Sequence, residues 1–67
     1  MSAEYVYAVT FLATHVTRPN LRTQVTQQSR GVSEDQAVAD ARATWSDGES
    51  WILGDLMSVE RRYRVSP

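Results

Sequence analysis

The chain has 67 residues, 42% of them hydrophobic, with seven basic against eight acidic side chains and a formal net charge of −1. That balance gives no support for generic binding to nucleic acid or to an anionic membrane surface. The absence of cysteine excludes disulfides and thiolate metal sites, and an unstapled chain of this length commonly gains stability by association.

Residues 4–16, Glu-Tyr-Val-Tyr-Ala-Val-Thr-Phe-Leu-Ala-Thr-His-Val, are rich in aromatic and β-branched types and read as a long first strand. Thr17-Arg18-Pro19-Asn20 reads as a turn, because Pro19 presets φ and Asn20 tolerates unusual backbone angles. Residues 21–30 read as a second, more polar strand.

The clearest element follows, a helix over residues 34–46. Ser33 is a preferred N-cap, and Gln36 three residues later completes a capping box. Val32 is placed to pack on Ala37 as a hydrophobic staple. Glu34 and Asp35 put negative charge at the positive end of the helix dipole. Ala37, Val38, Ala41 and Trp45 share one stripe at helical spacing, with Trp45 expected as a core anchor. Gly48 is the expected left-handed cap beyond the helix. Gly54-Asp55 reads as a bend, and residues 56–65 read as the third strand.

These elements give one α+β domain over residues 1–67, ordered ββαβ. Alternation places Tyr5, Tyr7, Val9, Phe11 and Ala13 on one face of the first strand. Val6, Ala8, Thr10, Leu12, Thr14 and Val16 lie on the other. A loop with an odd number of residues around Pro19 sets Leu21 and Val25 beside the aromatic face; an even loop would set Arg22 and Gln24 there. The third strand is expected to add Met57, Val59, Tyr63 and Val65 to the core, with Arg61 snorkelling from the same side. The first strand is apolar on both faces and belongs in the centre. The expected sheet is three-stranded and antiparallel, in the order 2-1-3, with the helix packed on one face.

One helix covers one face only. The other face would present Val6, Ala8, Leu12 and Val16, rimmed by Arg22, Arg62 and Arg64, a pattern that resembles an interface. The sequence therefore points to a non-enzymatic protein-interaction or accessory module, binding a protein partner or itself as a homodimer.

The alternative is a small DNA-binding or regulatory domain using the same arginines, since Arg61-Arg62-Tyr63-Arg64 is the one dense basic run. A catalytic role finds no motif. His15 stands alone, the carboxylate pairs fall at the helix start and in a loop, and the glycines at 31, 48 and 54 form no phosphate loop. No cofactor and no metal are expected. No apolar stretch approaches membrane length, so a cytoplasmic protein without membrane contact is expected. All the basic residues are arginine, which reads as the codon bias of a GC-rich genome, such as that of an actinobacterium or one of its phages.

Overall fold

The computed structural model describes residues 3–65. Strand β1 spans Tyr5–His15, β2 Arg22–Gly31, helix α1 Glu34–Ala43 and β3 Trp51–Arg64. The three strands form one antiparallel sheet in the order β2-β1-β3. The fold is the small ββαβ α+β arrangement read from the sequence.

The β1–β2 hairpin is regular along its whole length, running from Tyr5↔Gly31 to Thr14↔Arg22 without a bulge. Its closing bond runs from the His15 amide to the Leu21 carbonyl, 3.0 Å. Only residues 16–20 lie outside that pair, so the connection is odd and Val25 faces Phe11 as expected. Leu21 falls beyond the helix and stays exposed.

Helix α1 begins as its sequence dictates. Ser33 is the N-cap, and its hydroxyl accepts from the Gln36 amide at 3.2 Å. The Gln36 side chain reaches one residue further back than in a standard capping box and accepts from the Val32 amide at 2.7 Å. Val32 remains half exposed, so little apolar contact accompanies the cap. The helix ends at Ala43, three residues short of the expected end. Thr44 caps it, with its hydroxyl donating to the Asp40 carbonyl at 2.8 Å. Trp45 leaves the helix because its indole N–H donates to the Trp51 carbonyl at 2.9 Å, tying the connection to β3. Gly48 is not a left-handed cap: among the described residues no glycine has positive φ.

The core is narrow. Tyr7, Val9 and Phe11 of β1 meet Ala37 and Ala41 of α1, with Tyr5, Val25, Val38, Leu53 and Val59 packed around them. The two alanines let the helix lie close to the sheet. Gly31 matters for the same reason, since a Cβ there would stand 2.9 Å from the Ala37 nitrogen. Two inward side chains of β2 fasten the helix. Gln27 Nε2 donates to the Ala41 carbonyl at 3.1 Å and to Thr44 Oγ1 at 2.6 Å. Ser29, buried at 3% exposure, lies 2.7 Å from the Ala37 carbonyl and 2.6 Å from Asp40 Oδ2, its one hydroxyl proton shared between them.

Strand β3 departs from the expected reading. It begins at Trp51, not at residue 56, and Gly54-Asp55 lies within it. Its pairing with β1 shifts register three times: between Val6 and Tyr7, Thr10 and Phe11, and Phe11 and Ala13. Each shift inserts one extra β3 residue and flips the faces beyond it. Strict alternation therefore fails. Leu53, Leu56, Val59 and Arg61 pair with the inward residues of β1, whereas Tyr63 pairs with outward Val6. Tyr63 and Met57, expected in the core, are 58% and 48% exposed. Val65 lies beyond the strand end, its amide donating to the Glu4 carbonyl at 2.8 Å.

Phe11→Ala is expected to cost about 3–5 kcal/mol, because the ring is fully buried. Gly31→Ala is expected to cost about 1–3 kcal/mol by overpacking against α1. Urea denaturation followed by circular dichroism measures both; a midpoint unchanged in either variant contradicts the packing described.

Candidate interaction surface

The face of the sheet opposite α1 carries three rows of side chains. The middle row, from β1, is Val6, Ala8, Thr10, Leu12 and Thr14. Beside it on β2 stand Arg30, Gln28, Thr26, Gln24 and Arg22. On β3 stand Tyr63, Glu60, Ser58 and Ile52. The rows are polar in the centre, where the hydroxyls of Thr10 and Thr26 lie 2.9 Å apart.

The expected apolar residues divide. Ala8 and Leu12 are partly exposed, and Val16 is exposed at the end of the row. Val6 is buried, lying in a recess of about 380 Å³ with Arg30, Tyr63, Arg64 and Val65. It supports the surface without presenting much of itself. The missing apolar contribution comes from β3, where Ile52 is 57% exposed, opposite Thr14, and Met57 bulges between the pairs made by Thr10 and Phe11. Sequence reasoning passed over Ile52 as part of an unassigned stretch and sent Met57 and Tyr63 to the core. Gly54 held a usable signal. An isolated glycine in a strand pattern marks a bulge or a close backbone approach, and a Cβ on Gly54 would lie 3.0 Å from the Leu12 carbonyl.

The basic residues are not gathered into one rim. Arg22 pairs with Thr14 at one end of the sheet and Arg64 with Tyr5 at the other, about 30 Å apart along the strands. Arg62 is an extra residue at a register shift, and its guanidinium is held by Glu60 at 3.1 Å. Arg30 is paired with Glu4 at 2.8 Å. Arg61 lies over the Tyr5 ring and Arg42 over the Phe11 ring, each 4.6 Å from the centroid. Four of the arginines thus have partners within the chain, which weakens the case for phosphate binding.

A second feature lies where α1 meets β3. A shallow groove of about 310 Å³ is lined by Arg42, Trp45, Gly48, Trp51, Ile52 and Leu53. Arg42 closes one side by donating to the Gly54 carbonyl at 3.1 Å. The His15 ring meets Trp51 edge-on, 5.1 Å between centroids, and its Nδ1 accepts from the Thr17 amide at 3.3 Å. His15 is thereby occupied in closing the β1 end of the sheet. Among the described residues no group of His, Asp and Glu side chains is arranged to hold a metal ion, and no helix is long and apolar enough to cross a membrane.

Trp45→Phe keeps most of the ring contact but removes the bond to the Trp51 carbonyl. It is expected to cost about 1 kcal/mol, or about 4–8 °C in Tm for a domain this small. Thermal melts read by circular dichroism measure it; an unchanged Tm contradicts the anchoring role.

No protein-family model, curated protein or solved structure matches this chain.

Proposed function

We propose that this chain is a small non-enzymatic protein-interaction module that holds a protein partner on the sheet face opposite α1. One observation carries the reading. That face keeps Ile52 and Tyr63 more than half exposed, beside the partly exposed Ala8 and Leu12 and within a polar surround. Large apolar side chains on a solvated sheet face with a polar rim are the composition of a protein contact. The contact residues are Ala8, Leu12, Val16, Ile52 and Tyr63, with Val6 beneath them and Arg22 and Arg62 at separate points on the periphery; Arg64, expected there too, pairs with inward Tyr5 and drops out of the rim. A cytoplasmic setting fits this reading, and the all-arginine basic set fits a GC-rich actinobacterial or phage source.

A photo-crosslinking amino acid placed at Ala8 or Leu12 in living cells tests the proposal against nucleic-acid binding. The expected adduct has a discrete mass, survives nuclease and is destroyed by protease. The same group at Ala39, on the exposed side of α1, is expected to give none. Nuclease-sensitive adducts, or adducts from Ala39 alone, overturn the assignment. Leu12→Asp is expected to abolish the adduct formed from Ala8 while keeping the mixed α/β circular dichroism, because an unpaired charge is costly only where the face is desolvated. Phe11→Asp, one residue away on the covered face, is expected to unfold the chain.

A further inference from the structure

We propose that the free edge of β2 is a self-association edge, along which two copies pair antiparallel about a two-fold axis at Thr26. The result is one six-stranded sheet in which the two β2 strands lie side by side. The inference goes beyond the sheet-face reading: it uses a different surface and names its occupant, a second copy of this chain.

The two outer strands of the sheet differ sharply. β3 meets β1 with three register shifts and carries Asp55, Glu60, Arg61, Arg62 and Arg64. Bulges and charges are the devices that stop a strand edge from recruiting another strand. β2 has neither. It pairs with β1 without irregularity, and its charged residues, Arg22 and Arg30, stand at or beside its ends. Between them run Thr23, Gln24, Val25, Thr26, Gln27, Gln28 and Ser29, all uncharged.

The backbone pattern shows which groups are free. The bond from the His15 amide to the Leu21 carbonyl, carried along the register, turns the amides and carbonyls of Thr23, Val25, Gln27 and Ser29 toward β1. Those of Arg22, Gln24, Thr26, Gln28 and Arg30 face away, and every one of these residues is exposed. The long inward side chain, Gln27, is held against α1 and does not cover the edge.

An antiparallel register centred on Thr26 matches all of these outward positions at once. Thr26 meets its own copy, Gln24 meets Gln28, and Arg22 meets Arg30. Each such pair exchanges two backbone hydrogen bonds, about ten in all. The charges suit this register as well. The Arg30 end of β2 borders a polar recess formed by Glu4, Arg30, Gln36 and Asp40, two carboxylates against one guanidinium. Arg22, which makes no ion pair among the described residues, arrives at this end from the second copy beside Arg30, and Glu4, 2.8 Å from Arg30, is the carboxylate the two guanidiniums share.

Sedimentation equilibrium over a range of concentrations tests the proposal with four proteins. The unaltered chain is expected to reach twice its 7.6 kDa mass. Thr26→Pro removes an amide that points only outward, so it is expected to keep the circular dichroism of the parent and sediment at the single-chain mass. Thr26→Val, which also loses the bond to Thr10 but keeps the amide, is expected to dimerise like the parent. Leu12→Asp, on the sheet face, is expected to dimerise as well. A parent that stays at the single-chain mass, or a folded Thr26→Pro that still dimerises, overturns the edge proposal and leaves the sheet-face reading standing. Dissociation by Leu12→Asp overturns it too, by placing the dimer contact on the face. Should Thr26→Pro fail to fold, amide exchange in the parent decides. Protection at Gln24, Thr26 and Gln28 that is lost on dilution supports the edge. Exchange at unprotected rates in the dimer overturns it.

Discussion

A ten-residue helix is about 15 Å long, and the molecule it must cover extends 44 Å along its longest axis. Most of the structure follows from that mismatch. Where α1 lies, the core is dry and close-packed: Val9, Phe11, Ala37 and Ala41 are fully buried. To the side of it, on β3, Leu56 lies opposite Phe11 on the covered side of the sheet and is still exposed. The opposite face has no cover. The radius of gyration is 13.0 Å, against about 11 Å for a compact chain of this length. A chain that leaves so much sheet in water has apolar surface and backbone edges to offer a partner.

How α1 is fastened decides which surfaces those are. Gln27 and Ser29 bind helix carbonyls and the Asp40 carboxylate from β2, while Ala37 and Ala41 sit over the β1 aromatics. The helix is therefore drawn toward the β1–β2 side of the sheet. β3 is reached only by longer side chains: Arg42 to the Gly54 carbonyl, and Trp45 to the Trp51 carbonyl. These bonds pin β3 at one end and leave its middle uncovered. Hydrogen bonding thus fixes the helix where apolar burial alone, from two alanines and part of Val38, would hold it weakly.

Much of this was legible in the sequence where local chemistry and global fold agree. Ser33, Gln36, Glu34 and Asp35 specify the start of the helix through groups that act within one turn. The aromatic alternation of β1 and the apolar positions Leu21 and Val25 specify the hairpin register, because a one-residue slip would bury Arg22 and Gln24. β3 was not legible to the same depth. Period-two reading assumes an unbroken pleat, and three extra residues break it. The shift at Arg62 sent Tyr63 to the outer face and took Arg62 out of the expected arginine rim, and the shift at Met57 left that residue in a bulge; Arg61, between the two, kept its expected side and lies over the Tyr5 ring. The helix end was misplaced because a bond to the distant Trp51 carbonyl, not a local cap, sets where Trp45 goes.

The asymmetry between the two edge strands bears on how assembly would end. A sheet with two open edges can add strands at both and grow without limit, the geometry of a fibre. This sheet has one regular edge on β2, charged only at Arg22 and Arg30 near its ends, and one bulged edge on β3 with charge along it. Antiparallel pairing of β2 with β2 is isologous: the same surface is used on both copies, and both open edges are consumed. What remains outside is β3 on each flank, the edge least able to recruit another strand. The bulges that defeated the sequence reading of β3 then have a physical role. In the proposed dimer they would make assembly stop at two copies, with the exposed face of each held in one continuous sheet.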